Sequence, residues 1–245
     1  MILHFGRFGW HDLNTSDIDA SAAFYAQLFG WTVDATPRPN NYRGLSNDSG
    51  EFGGLFPWPP EAAGMPTHWT GYVLVEDVVA TAHRARELGG TIAFESMAIP
   101  GVGTLGVIFD PTGASVTTFA PVQISDAWPL GPGGTGGAVL WNELMTTELA
   151  ASVTFHCQLF GWEVDQDVVD AGGYVIARRG PVAAAAIFSP SVAASVSAWI
   201  TYFDTPNIFD TIARAESLGA TVIHPVTEIP GIGRTAWVND PQGAT

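Results

Sequence analysis

Apolar residues recur three and four apart in four separate segments of the chain. The sets are Ile18, Ala22, Tyr25, Leu28; Val78, Ala82, Ala85, Leu88; Leu149, Val153, His156, Leu159; and Ile208, Ile212, Ala215, Leu218. Each has the i, i+4, i+7, i+10 spacing that lines one face of an α-helix. Thr15 or Ser16 is the expected N-cap of the first helix and Thr147 of the third, and a glycine stands near the end of each. Between the helices the pattern shortens to alternation. "HWTGYVLV" and "AWITYF" read as strands before helices two and four, and "GTLGVIFDPTGASVTTFA" reads as strand, tight turn, strand. The predicted unit is β-α-β followed by further strands, used four times.

The units are grouped by a tandem repeat. "LFGW" at Leu28–Trp31 returns at Leu159–Trp162, "IPGVG" at Ile99–Gly103 returns as "IPGIG" at Ile229–Gly233, and "DPTGA" at Asp110–Ala114 returns as "DPQGA" at Asp240–Ala244. The first offset is 131 residues and the other two are 130, so one residue is gained or lost between them. "SDAWPLGPGGTGG" is Pro/Gly-rich and reads as a linker over residues 123–137, which divides the chain into modules 1–122 and 138–245. The last strand of the second module reads as incomplete.

Composition narrows the function. Apolar residues make up 47% of the chain and charged residues 13%, enough to bury a core and unlike a disordered chain. No apolar run has the ~18–20 residues of a membrane span, and the first residues lack the pattern of a secretory signal. With one cysteine, Cys157, neither an internal disulfide nor a multi-cysteine zinc site is available. The expectation is a cytoplasmic monomer or homodimer. Net charge is −15 and all nine basic residues are arginines without a basic stripe, which disfavours nucleic acid as a partner. The expected partner is a small molecule, and an acidic surface attracts cationic ones.

"FYAQLFGW", "LGGTI", "PGVG" and "DPTGA" together resemble the vicinal oxygen chelate superfamily, which includes glyoxalase I, bleomycin-resistance proteins and extradiol dioxygenases. "WHDL" with "WNEL" is most similar to its tandem, glyoxalase-like or hydroxylase-like branch. The resemblance implies an α+β fold in which each module pairs two βαβββ units into a half-open, curled mixed sheet. It also implies a divalent metal held in the cup by His or Gln, His and Glu. The matching positions here are Trp10, Thr70 and Thr117 in the first module and Trp141 and Ile200 in the second, with the third falling beyond Thr245. Tryptophan is no metal ligand and threonine a poor one, so the usual triad is not expected and no resident cofactor is assigned.

Alternation along a strand puts Trp10 and Asp12 on one face and His11 on the other; Trp141 and Glu143 share the corresponding face in the second module. His11 is then a half-exposed histidine, not a ligand. Asp12 and Glu143 are the candidate catalytic carboxylates, as general base or polar anchor. A structural brace at the cup rim accounts equally for an acid in both copies. Trp10, Thr70, Tyr72, Thr117, Trp141 and Tyr202 are the candidate substrate contacts, with core packing as the alternative for each aromatic. The first cup is the more polar and the second, with Ile200, the more apolar. His156, on the buried stripe, reads as a packed residue and Cys157 as inert. Two functions stay open: an enzyme of lyase, isomerase or hydroxylase type, and a protein that sequesters a flat or cationic compound. In a third reading the cups are structural.

Overall fold

The computed structural model describes residues 5–59, 62, 64–123, 136–165, 173–190, 196–229 and 232–245. Most of the expected linker, 124–135, lies outside them. The first repeat runs β1 (Phe8–Thr15), α1 (Ile18–Phe29), β2 (Thr32–Val33), β3 (Arg43–Asn47), β4 (Gly50–Pro57), β5 (His68–Leu74), α2 (Val78–Glu87), β6 (Thr91–Ile99), β7 (Gly103–Phe109) and β8 (Ser115–Pro121). The second runs β9 (Val139–Met145), α3 (Leu149–Phe160), β10 (Glu163–Val164), β11 (Tyr174–Arg179), β12 (Val182–Phe188), β13 (Ala198–Phe203), α4 (Ile208–Ser217), β14 (Thr221–Ile229) and β15 (Gly233–Asn239). None of these helices is long and apolar enough to cross a membrane.

Three of the βαβββ units close the same way: the first strand crosses over through the helix and pairs in parallel with the last. The orders are β2-β3-β4-β1, β6-β7-β8-β5 and β10-β11-β12-β9, with β1·β4, β5·β8 and β9·β12 parallel. The fourth unit shows β14 antiparallel to β15.

The helix ends differ from the sequence reading by one or two residues. Asp17, not Thr15 or Ser16, caps α1 by accepting from the Ala20 amide at 2.9 Å. Glu148, not Thr147, occupies the N-cap of α3, without a side-chain cap bond. Thr15 and Thr146 instead accept from the amides of Asp17 and Glu148, fixing the turn between strand and helix. Gly30 and Gly161 end α1 and α3 in the left-handed region, at φ 74° and 66°. The buried face of α2 follows the predicted stripe, with Val78, Ala82 and Ala85 buried, and those of α1 and α3 share Ile18, Tyr25 and His156 with their predicted stripes but add neighbours outside them. Ser21, Phe24 and Tyr25 are buried in α1, and Ser152, Phe155 and His156 in α3, while Ala22, Leu28, Val153 and Leu159 are half-buried.

Packing divides the chain differently from the repeat. One compact unit comprises Met1–Trp10, Gly71–Asp126 and Trp141–Thr201; the other comprises His11–Thr70, Ala127–Leu140 and Tyr202–Thr245. Each therefore joins a βαβββ unit of one repeat to its complement from the other repeat. Within the second-named unit Trp31 donates to the Gly137 carbonyl at 2.9 Å, and Tyr25 donates to Asp240 at 3.1 Å. Within the first-named unit the equivalent Trp162 donates to the Gly6 carbonyl at 2.5 Å, and Ser152 donates to Asp110 at 2.9 Å. Around these polar ties the aromatics interlock. Tyr25 stacks on Trp31 at 5.2 Å and meets Trp69 edge-on at 5.3 Å. His156 stacks on Trp162 at 6.1 Å and meets Trp199 edge-on at 5.4 Å. Such pairs add about 0.5–1.5 kcal/mol each beyond area burial.

His156 carries a consequence for acid stability. It is fully buried, and burial holds its imidazolium below the ordinary histidine range, opposed by the Asp110 carboxylate 3.9 Å from Nδ1. The unfolded chain then binds the extra proton more readily than the folded one. Stability is expected to fall as pH drops below about 6.5, the ordinary histidine value. Melting curves between neutral and mildly acidic pH should show this slope in the native protein and a shallower one in His156→Gln; an unchanged slope would assign it to other groups.

Candidate functional site

The two carboxylates singled out by alternation are both buried: Asp12 is 5% exposed and Glu143 8%. Each lies under a phenol. The Tyr42 hydroxyl donates to Asp12 Oδ1 at 2.9 Å, and the Tyr174 hydroxyl donates to Glu143 Oε1 at 2.5 Å. A hydrogen bond to an ionised acceptor contributes about 1.5–3 kcal/mol. Tyr174 also accepts from Trp141 Nε1 at 3.4 Å. Burial first, and then the Glu143 carboxylate, push the Tyr174 phenol far above its ordinary value, so it stays protonated and remains a donor.

Local backbone geometry makes each pair. Asp12 faces Gly54 across the parallel β1–β4 pairing. A Cβ at Gly54 would sit 2.1 Å from the Tyr42 ring and from its hydroxyl oxygen, so the ring lies directly on the β4 backbone. Tyr42 is brought there by the turn over Pro39–Asn41, in which Asn40 and Asn41 have φ near +60°. The Arg38 guanidinium lies 5.8 Å from the ring centroid and is tied to Asp34 at 2.8 Å. In the second copy Glu143 faces Ala186 across β9–β12, and Tyr174 sits opposite Phe188. An alanine in place of the glycine opposite the acid thus accompanies one more methylene in the acid.

Asn14 continues the Asp12 face of β1 and donates to Thr70 Oγ1 at 2.7 Å. Asp12, Asn14, Tyr42 and Thr70 therefore form one polar group within a single packing unit. In the second copy the positions of Asn14 and Thr70 hold the apolar Met145 and Ile200. Of the other candidates, Tyr72 lies opposite the buried Thr117 in the β5–β8 register and meets Phe119 edge-on at 6.1 Å. Tyr202 accepts from Trp237 Nε1 at 2.7 Å, and Trp10 is half-buried on β1. His11 is buried, not half-exposed, because both faces of β1 are covered. His156 is packed, and burial pushes the neighbouring Cys157 thiol up, away from the reactive thiolate.

The sequence reading passed over Tyr42, Tyr174 and Gly54. The two tyrosines are repeat equivalents at an offset of 132, against 131 at "LFGW" and 130 at "DPxGA", so a fixed offset does not bring them together.

The Glyoxalase/Bleomycin resistance protein/Dioxygenase superfamily matches residues 2–117 and 138–245. The chain belongs to this superfamily. It is 31% identical over 244 residues to a Mycobacterium bovis protein named "Putative glyoxylase CFP32", covering 98% of this chain and 92% of that one. It is 28% identical over 254 residues to the anthracycline biosynthesis protein DnrV of Streptomyces peucetius, covering 98% and 91%. Among solved structures, the Mn(II)-bound glyoxalase of Novosphingobium aromaticivorans shares the fold, with a TM-score of 0.69, 15% identity and coverage of 98% of this chain and 80% of that one. At the positions where the resemblance places the superfamily's metal ligands this chain carries Trp10, Thr70, Thr117, Trp141 and Ile200, and Thr70 accepts from Asn14. No group of three or more His, Cys, Asp or Glu among the described residues is arranged to hold a metal ion.

Proposed function

We propose that the chain acts on a small, oxygen-bearing organic molecule by proton transfer, with Asp12 as the base and Tyr42 holding its carboxylate in place. The observation that carries this reading is the buried carboxylate under a tyrosine hydroxyl, Asp12 with Tyr42, built again as Glu143 with Tyr174. The half-buried Asn14 and Thr70 beside Asp12 supply what such a step needs next: Thr70 accepts from Asn14 and keeps its own proton to give to a substrate oxygen. In the step, Asp12 removes a proton from carbon next to a carbonyl. The C–H electron pair moves onto the carbonyl oxygen, which Thr70 hydrogen-bonds, and the Asp12 carboxyl returns the proton to another atom of the same molecule. The net change is an isomerisation and needs no oxidant or reductant. The likeness to a protein named for anthracycline biosynthesis supports an aromatic, multiply oxygenated substrate. The net charge of −15 favours the second reading, sequestration of a cationic flat compound without turnover.

One variant separates the two. Asp12→Asn is expected to lower turnover of aromatic hydroxyketones about 10²–10⁴-fold while tryptophan fluorescence still reports binding. Binding of cationic planar compounds with no turnover in the native protein would favour sequestration. A change in melting temperature alone would make Asp12 a brace.

A further inference from the structure

Two atoms in the core of the Trp141–Thr201 packing unit break the pattern of internal pairing. His156 Nε2 and Trp199 Nε1 are buried and have no hydrogen-bond partner among the described residues. His156 as a whole is 0% exposed. Leaving such groups unpaired costs about 1–3 kcal/mol each.

The other packing unit shows what completes this arrangement. There the equivalent of His156 is Tyr25, and its hydroxyl joins the same two neighbours: it accepts from Trp69 Nε1 at 3.0 Å and donates to Asp240 Oδ2 at 3.1 Å. The surrounding residue types are matched, with one difference in wiring: Ser152 itself donates to Asp110 Oδ2 at 2.9 Å, where Ser21 reaches Gln242 at 3.4 Å. Ser21, Phe24, Phe29, Trp31, Trp69 and Asp240 correspond to Ser152, Phe155, Phe160, Trp162, Trp199 and Asp110. Ring geometry agrees as well, with edge-on contacts at 5.3 Å and 80° for Tyr25 on Trp69 and 5.4 Å and 81° for His156 on Trp199. The imidazole therefore occupies the place of the phenol ring but stops short of its oxygen.

The protonation pattern fixes what the remaining atoms require. His156 Nδ1 lies 2.9 Å from the Ser152 carbonyl, which only accepts, so Nδ1 carries the hydrogen and Nε2 is an acceptor. Trp199 Nε1 is a donor only. A group that accepts from the indole and donates to the imidazole satisfies both, and a second donor would serve the Asp110 carboxylate as Tyr25 serves Asp240.

We propose that His156, Trp199 and Asp110 form a binding site for a single internal water molecule, set where the twin core places the Tyr25 hydroxyl. The water accepts from Trp199 Nε1 and donates to His156 Nε2 and to Asp110, the three bonds typical of a buried water. The rings of Phe155, Trp162 and Trp199 pack around the imidazole, at 5.2, 6.1 and 5.4 Å between centroids.

A high-resolution crystal structure of the native protein tests this directly. Density for one ordered water within hydrogen-bond reach of His156 Nε2 and Trp199 Nε1 is expected; a direct bond between those two atoms, or no density, overturns it. Replacing the histidine gives an independent readout. His156→Tyr should raise the melting temperature by about 2–4 °C, with the new hydroxyl at the water position; a lower melting temperature counts against the site. The converse variant, Tyr25→His, should gain an ordered water between Trp69 and Asp240, and a dry core in that variant would also refute the proposal.

Discussion

Replacing Gly54 with alanine is expected to break the Tyr42–Asp12 hydrogen bond and cut turnover or ligand affinity about a hundredfold. The added Cβ would overlap the phenol at 2.1 Å, and neither side can yield cheaply, since β4 is paired to β1 at this residue and Tyr42 is held by the Pro39–Asn41 turn. Displacing a working group by an ångström costs about that factor. The second copy indicates the repair. There the residue facing the acid across the parallel pairing is Ala186 where the first copy has Gly54, the acid is the longer Glu143, and the hydrogen bond is made. Adding Asp12→Glu to Gly54→Ala should therefore recover most of the loss, while Asp12→Glu alone should not improve on the native protein. Activity and melting curves on the three variants check this as a double-mutant cycle. A Gly54→Ala protein with native behaviour would show that the close approach places no constraint on the pair.

Asp110→Ala should be the most damaging core substitution in stability. The carboxylate is 3% exposed and accepts from the Thr112 amide at 2.8 Å, the Ala114 amide at 3.0 Å and the Ser152 hydroxyl at 2.9 Å. Alanine removes the acceptor of the Thr112 and Ala114 amides and leaves Ser152 only the hydroxyls of Thr146 and Thr112, at a cost of about 3–5 kcal/mol. A fall of about 10 °C in melting temperature is expected. Asp110→Asn keeps one acceptor oxygen and should lose less. If the two variants melt alike, the cost lies in the charge and not in the unpaired donors.

The four helices, the strand-turn-strand of "GTLGVIFDPTGASVTTFA" and the tandem repeat were all legible, because periodicity reports which side of an element is covered. It does not report what covers it. Nothing local to Ser152 or His156 points to Asp110, forty-odd residues away in the other repeat. The α2 stripe was read correctly, while those of α1 and α3 missed buried members for the same reason: Ser21 and Ser152 look like surface residues until their partners Thr15 and Thr146 are placed beside them. Asp12 and Glu143 stood out because strand alternation and the repeat both marked them. Tyr42 did not, since it reaches Asp12 through a turn whose geometry depends on two asparagines at positive φ. Gly54 was legible only as an absence of side chain, and its value appears once a ring lies on it.

The exchange of βαβββ units between repeats also bears on how such a chain arises. A half-length ancestor with only one repeat would own half of two cores and complete neither. Two copies of it, each lending its second unit to the other, would complete both, so the ancestral form is naturally a symmetric pair. Fusing the copies frees them from being identical. Tyr25 against His156, Asn14 against Met145 and Gly54 against Ala186 are differences that a symmetric pair could never have held.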